Sequence, residues 1–379
     1  MMSNIRSNKK LTGEKIGVYF GTFAPLHVGH QQQIYKCASL NDGVLLVVSG
    51  DDQDRGAQIG LPLEKRFRYL REAFRDEEAI QVAKLDENDL PAMPHGWDEW
   101  VSRLLNLINT YTTRDKLEIT FYVGESAYAT ELKRRFPKDG NSYEVELADR
   151  QDIAMSATKI RENPQAQWDK INRVFRRHFS KVVTVMGSAS TGKTTLVRRL
   201  ARSINAPFSE DYLQAYKATY NLTDEELRQE DYARLIAGQY DANSQQLNSP
   251  ANQGIVFLDT DALVTSVHAR MNLPKTEFEE LKLLFQKTIA RERMDLILVI
   301  PPSVEKEEGC ALQEGAQDPR LIFHQELLRQ LAAFDLMDRV VILDDSGNQK
   351  DRAGYLSRYH HAIDAVKAYT GITIERLHS

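Results

Sequence analysis

Residues 187–194, GSASTGKT, match G-x-x-x-x-G-K-[ST] at every fixed position. They follow the apolar β-forming run Val182–Met186 and precede Thr195–Ser203, which has helical spacing. A short apolar strand that ends in glycine and opens into a helix is the signature of a buried parallel strand in an α/β fold. The glycines let consecutive backbone N–H groups curl around an anion, and the helix N-terminus adds partial positive charge. Gly187, Ser190, Thr191, Gly192, Lys193, Thr194 and Thr195 are therefore expected to hold the phosphates of a nucleotide. Lys193 is expected on the β- and γ-phosphates, and the Thr194 hydroxyl on Mg²⁺.

The chain has 379 residues, above the ~250–300 at which single cores usually stop growing, so two domains are expected. A second strand–loop–helix unit supplies the other: Lys15–Phe20, a loop from Gly21 to His30, and a helical stretch from Gln31. Further strands are expected at 43–49, 117–124, 254–259, 295–300 and 339–343, with helices at 63–74, 98–110, 127–136, 224–247, 275–293 and 321–334. This alternation implies α/β architecture in both halves: a Rossmann-like parallel sheet first, then a P-loop parallel sheet. The expected boundaries are 1–162, a connector helix at 163–180, and 181–379. Trp168, Ile171, Phe175 and Phe179 lie about a turn apart in that connector, and Arg173, Arg176, Arg177 and His178 read as its solvated face.

Mg²⁺ beside a phosphate loop also needs an acid at the end of another strand. Asp259 closes GIVFLD and fits, and Asp261 two residues on can point into the same cleft. Transfer to a small-molecule hydroxyl needs a carboxylate to orient or deprotonate it. Glu210 and Asp211 are the candidates, with Tyr212 as an apolar wall. Transfer to water would make an NTPase instead, and the motif alone leaves both open.

The N-terminal loop, GTFAPLHVGH, has a different logic. His27 and His30 stand three apart at a helix start, where imidazoles and backbone N–H groups make a patch for a triphosphate. Gly21, Thr22 and Phe23 are expected beside them. The fitting chemistry is attack of a substrate phosphate on the α-phosphorus of ATP, driven by positioning and charge neutralisation without a side-chain nucleophile. Ser156, Thr158 and Arg161, in MSATKIR, add two hydroxyls and a guanidinium at S-x-T-x-x-R spacing. A zinc site at the two histidines lacks both the usual spacing and a third ligand.

Charge and composition exclude other classes. The net charge of −5 lacks the basic surplus of a protein that lives on nucleic acid, so no nucleic-acid partner is expected. Cys37 and Cys310 have no metal-ligand spacing and read as reduced thiols. No stretch approaches 18 uninterrupted apolar residues, so a cytoplasmic chain without membrane insertion is expected.

GTFAPLHVGH followed by MSATKIR resembles the nucleotidyltransferase superfamily, with its (T/H)xGH and (I/M)SxTxxR signatures. Combined with GSASTGKT, it is similar to the bifunctional nicotinamide-nucleotide adenylyltransferase/ribosylnicotinamide kinase family, the NadR type, over about residues 15–345. The resemblance implies two activities. The first half would join nicotinamide mononucleotide to ATP, giving NAD and pyrophosphate; the second would phosphorylate ribosylnicotinamide. His27, His30, Ser156, Thr158 and Arg161 would hold ATP phosphates, and Trp97 and Trp100 would lie near the nicotinamide. Asp211 and Tyr212 would match the acidic-Tyr pair of the nucleoside pocket, and Asp259-Thr260-Asp261 the second acidic motif. Gln214 stands where relatives often carry arginine, and the expected lid, 307–312, lacks its usual arginine, leaving Arg320 as a possible substitute. Several relatives begin with a helix-turn-helix domain; here the first strand starts near residue 15, so DNA binding is not expected. The residues also admit a transferase–kinase pair for another phosphorylated metabolite, or a non-catalytic nucleotide-binding regulator. A homo-oligomer is left open.

Overall fold

The computed structural model describes residues 10–147, 157–302, 318–344 and 352–372. By its internal contacts the chain divides into two units, Met1–Phe179 and Ser180–Ser379.

The first unit runs β1 (Lys15–Gly21), α1 (Val28–Leu40), β2 (Gly43–Gly50), α2 (Leu63–Ala73), β3 (Ile80–Asp86), α3 (Trp97–Tyr111), β4 (Glu118–Val123), α4 (Ser126–Arg135), β5 (Ser142–Leu147), α5 (Ala157–Glu162) and α6 (Arg173–Phe179). Its five strands are all parallel, in the order β3-β2-β1-β4-β5. β2, GVLLVVSG, is buried at every position, as a strand covered on both faces must be. The sheet carries one apolar cluster on each face, one around Ile34, Leu46 and Phe175, the other around Ile16, Trp100 and Phe121.

The segment expected as a connector helix is broken. Trp168–Lys170 form a single 3₁₀ turn, Ile171 is extended, and α6 begins only after Asn172, whose side chain accepts from the Val174 N–H at 2.9 Å. A capping asparagine ends one turn and starts the next helix. Trp168, Ile171 and Phe175 are buried in the first unit's core. The basic residues here do structural work as well as facing solvent. Arg177 pairs with Glu72 at 2.6 Å and lies 4.0 Å over the Tyr69 ring, and the His178 Nε2 is 2.8 Å from the Ile59 carbonyl.

The second unit runs β6 (Lys181–Gly187), α7 (Lys193–Ser203), β7 (Phe208–Ser209), α8 (Tyr212–Tyr220), α9 (Gln229–Leu247), β8 (Ile255–Leu258), α10 (Ala262–Asn272), α11 (Lys275–Ile289), β9 (Leu296–Ile300), α12 (Pro319–Ala333), β10 (Val340–Ile342) and α13 (Arg352–Thr370). Its strands are also all parallel, in the order β10-β9-β6-β8-β7. The strand that feeds the phosphate loop is central, so the loop emerges at the carboxyl edge of the sheet, where open α/β sheets bind ligands. The helix expected at 224–247 is interrupted. A 3₁₀ turn, Asp224–Glu226, closed by a Thr223–Glu226 capping box, is followed by extended Leu227 before α9 starts.

Candidate active sites

In the first unit, β1 delivers the chain into the 21–30 loop, and the helix that follows opens with the two imidazoles. His27 caps α1, its Nδ1 accepting from the Gly29 N–H at 3.1 Å, so the proton of the neutral ring sits on Nε2. His30 stacks on His27 with ring centroids 3.8 Å apart and meets the edge of Phe23. Asn172 donates to the Leu26 carbonyl at 3.0 Å, and Ile171 bridges His27, so the segment before α6 braces this loop.

Burial lowers the His27 pKa to about 4. His30 is held well below the usual imidazole range by burial first, then by His27 and Arg55. Both rings are neutral donors at neutral pH. The positive charge comes from two arginines. Arg161, on α5, donates to the Ala24 carbonyl and to the Thr158 hydroxyl, each at 2.9 Å. Arg55 donates to the Thr22 hydroxyl at 3.1 Å. Arg66, fully buried, holds the Thr22 and Ser49 carbonyls at 2.5 and 3.2 Å and pairs with Asp54, fixing the floor of the site. Arg55 lies in no motif, and only its fold position reveals it. Ser156 lies outside the described residues.

Trp97 and Trp100 are core residues, 9% and 1% exposed. They pack edge-on with each other, Trp100 against Phe20 and both against Tyr128, and the Trp100 indole N–H donates to Glu87 at 2.8 Å. Neither presents an open ring face; the half-buried Phe20 and Tyr128 form the accessible side of the cluster.

In the second unit, the loop after β6 takes positive φ at Gly187, Ser190 and Gly192. A side chain at 187 would meet the Ile300 carbonyl at 2.6 Å, which fixes glycine there. The Lys193 ammonium donates to the Ser188 carbonyl at 2.9 Å, and the Thr194 hydroxyl to Asp259 at 2.5 Å. Asp259 is 1% exposed, and its other oxygen has no hydrogen-bond partner among the described residues. Its pKa is raised chiefly by burial. Two hard oxygen donors side by side, one with a spare buried lone pair, fit Mg²⁺.

A cavity of about 470 Å³ opens beside this loop, lined by Lys193, Thr194, Asp211, Gln214, Asp224, Tyr232, His268, Asn272 and Arg320 among others. Asp211 caps α8 by accepting from the Leu213 N–H at 3.0 Å, and burial raises its pKa. Glu210 faces away and pairs with Arg198 at 2.7 Å, so of the two acids only Asp211 lines the cavity. Tyr212 lies outside the lining. Its ring packs on Gly238 of α9, where a Cβ would come within 2.1 Å of it. Asp261 also misses the cavity. It caps α10 through the Val264 N–H at 3.0 Å and abuts Glu292, which takes the Ala262 N–H at 2.9 Å. Burial lifts Asp261 to about 6, and burial plus the Asp261 charge holds Glu292 well above the carboxylate range. Gln214 and Arg320 do line the cavity, Arg320 held by Asp318 at 2.9 Å. The expected lid, 307–312, and Cys310 lie outside the described residues.

Sequence reading missed four cavity residues: Asp224, Tyr232, His268 and Asn272. The Asn272 amide donates to the Tyr232 hydroxyl at 2.9 Å, tying α10 to α9. His268 packs at a tilt against Phe323, ring centroids 4.7 Å apart, and burial lowers its pKa to about 4. No motif marks any of them: Tyr232 lies in the largely polar α9, His268 and Asn272 in α10, and Asp224 in an acidic 3₁₀ turn.

Residues 18–163 match the cytidylyltransferase-like family, and residues 182–352 match the AAA domain family. The chain is similar to a NadR protein crystallised in complex with NR: 69% identical, covering 98% of this chain and 100% of that one, with a TM-score of 0.88. A crystal structure of NadR protein in complex with NAD and AMP-PNP matches at 69% identity and the same coverage, with a TM-score of 0.86. The trifunctional NAD biosynthesis/regulator protein NadR of Salmonella typhimurium (strain LT2) is 28% identical over 371 residues, spanning 94% of this chain and 84% of that protein. With both cradles in place and similarity running the length of the chain, the protein belongs to the NadR family.

Proposed function

We propose that the chain makes NAD in two ATP-dependent steps. The second unit phosphorylates ribosylnicotinamide to nicotinamide mononucleotide, and the first joins that product to the adenylyl group of ATP. The observation that supports this reading is that each unit gathers donors suited to a triphosphate, one through side chains around the 21–30 loop and one through the main chain of residues 187–194. The relatives named above, crystallised with NR and with NAD and AMP-PNP, support these substrates for this chain.

In the kinase unit, the curled amides of residues 187–194 hold the phosphates of ATP, and Lys193, whose ammonium sits on the Ser188 carbonyl with donors to spare, reaches the β,γ-oxygens. Asp211, across the same cavity, accepts the hydrogen bond of the acceptor hydroxyl and takes its proton as the hydroxyl oxygen bonds to the γ-phosphorus and ADP leaves. Its raised pKa suits a base that must accept a proton near neutral pH. Thr194 and Asp259 would hold Mg²⁺, which supplies charge neutralisation between the β- and γ-phosphates when bound. Arg320, which lines the same cavity and is held by Asp318, supports the reading as the guanidinium that meets transferring phosphate in place of a lid arginine.

In the adenylyltransferase unit, a phosphate oxygen of the mononucleotide bonds to the α-phosphorus of ATP as the α–β bridge breaks and pyrophosphate leaves. His27, His30, Thr158 and Arg161, together with Arg55, surround the charge that develops on the leaving group. Preorganised donors in a buried site are worth far more than in water. Trp97 and Trp100 shape the nicotinamide pocket from behind Phe20 and Tyr128. No described helix is long and apolar enough to cross a membrane; this reading places the enzyme in the cytoplasm with its nucleotide substrates.

The test is a product assay with ribosylnicotinamide as sole pyridine substrate plus MgATP, following mononucleotide, then NAD, with ADP and pyrophosphate. Absence of mononucleotide and ADP would remove the kinase half. Absence of NAD when the mononucleotide is supplied would remove the other.

A further inference from the structure

The phosphate loop takes positive φ at Gly187, Ser190 and Gly192, the kind of backbone that lets successive N–H groups converge on an anion. Two of the loop's carbonyls are taken by cations. Lys193 Nζ holds the Ser188 carbonyl at 2.9 Å, and Arg358 Nη1 holds the Thr191 carbonyl at 3.0 Å. The two cations differ in their duties. Lys193 is the ammonium that the loop offers to the phosphates, with donors to spare beyond its bond to Ser188, which the Thr191 hydroxyl also holds at 2.9 Å. Arg358 reaches the loop from behind, on α13, with Nη1 3.8 Å from where a side chain on Gly192 would begin.

We infer that Arg358 is a positioning residue for the kinase reaction, keeping the phosphate loop in its anion-binding shape from outside the loop itself. The inference rests on the kinase reading of this unit. A guanidinium that donates into the Thr191 carbonyl polarises the 191–192 peptide, which makes the Gly192 N–H a stronger donor to phosphate. It also puts a fixed positive charge behind an anion site from which water is partly excluded. The helix that presents it is fastened to α7, the helix the loop opens into. The Tyr359 hydroxyl lies 2.6 Å from Ser203 Oγ, and the Arg199 guanidinium lies 4.8 Å over the Tyr355 ring. The loop is thus pinned from its own helix and from a helix more than 150 residues later in the chain.

The experiment compares Arg358→Met and Arg358→Lys with the unaltered full chain, using ADP release with ribosylnicotinamide to read the kinase alone, since adenylyl transfer releases pyrophosphate. Arg358→Met should raise KM for ATP roughly tenfold, the scale of a lost charge-assisted hydrogen bond. KM for ribosylnicotinamide and pyrophosphate release from the mononucleotide should hold steady, and Arg358→Lys should recover part of the loss. An unchanged KM for ATP, or a lower melting temperature alone, would overturn the inference and leave Arg358 a packing residue. Should Arg358→Met not fold, Arg358→Gln reads the same constant, with a several-fold rise expected and no rise overturning the idea. If the unaltered chain releases no ADP, the kinase reading has failed instead. ADP titrated calorimetrically into chains carrying His30→Ala, with and without Arg358→Met, then still tests the loop: equal affinity in both overturns the role of Arg358.

Discussion

The two triphosphate cradles of this protein are built on opposite plans. The second is contiguous: eight residues in a row supply curled amides, lysine and hydroxyl, and positive φ at three of them sets the shape. The first is assembled from separate stretches: the 21–30 loop, Arg55 after β2, and Thr158 with Arg161 on α5, joined by hydrogen bonds to Thr22 and Ala24. A contiguous cradle carries its geometry in local backbone. An assembled one depends on distant packing, here on the buried Arg66 and on the bridge from Ile171 to His27. The charge logic differs too. The lysine loop brings its own cation, whereas the imidazole pair is neutral and borrows its charge from Arg161 of the second signature and from Arg55, which lies in no motif.

The sharpest way to break this comparison is to disable one cradle and read both. Lys193→Ala should lower ribosylnicotinamide phosphorylation by about a thousandfold and leave NAD formation from the mononucleotide intact, and His30→Ala should do the reverse. Loss of both activities in either folded variant would end the idea of independent sites. A smaller effect is expected at Arg55. Arg55→Ala should raise KM for ATP in the adenylyl step by roughly ten- to hundredfold, as expected for lost charge-assisted bonds. ADP release by the kinase unit should not move, and an unchanged adenylyl KM would leave the charge of this site to Arg161 alone.

Next in size, Gly238→Val should destabilise the second unit by about 2 kcal/mol through overpacking against Tyr212, seen as a lower denaturation midpoint. A stable variant with a changed KM for ribosylnicotinamide would instead put Tyr212 on the substrate. The smallest change concerns pH. Both imidazoles are depressed, His27 to about 4, so the free enzyme holds them neutral from acid pH upward. After correction for the titration of ATP itself, kcat/KM for ATP in the adenylyl step should vary less than about twofold between about pH 5.5 and 8, and fall only in stronger acid. A decline as pH rises through about 6.5 would mean that a protonated imidazole is required.

The same contrast decides which parts were legible beforehand. Strands at 43–49 and 182–186 showed as unbroken apolar runs because parallel strands are covered on both faces. β5, SYEVEL, is an edge strand whose polar residues dilute that run, and β7 has only two residues, so neither announced itself. α13 went unread although its buried Tyr359, Ala362, Ile363 and Val366 recur at i, i+3, i+4 and i+7, because the histidines between them dilute that pattern. The connector was misjudged as one helix because aromatic spacing marks a buried face, while the break was set by the Asn172 cap and the bridge to His27.

Taken alone, the order of residues determined the phosphate loop, the imidazole pair, the parallel α/β architecture and the presence of Asp211 and Asp259 at element ends. These are properties of spacing and local backbone, which neighbouring residues fix among themselves. Only the tertiary structure decided that Asp211 faces the cavity while Glu210, Tyr212 and Asp261 do not, that Tyr232, His268 and Asn272 line it too, and that Arg55 and Arg358 hydrogen-bond the Thr22 hydroxyl and the Thr191 carbonyl. It also decided that the histidines are neutral. Side-chain direction, desolvation and hydrogen bonds between residues far apart arise only when the chain closes on itself, and no local pattern encodes them.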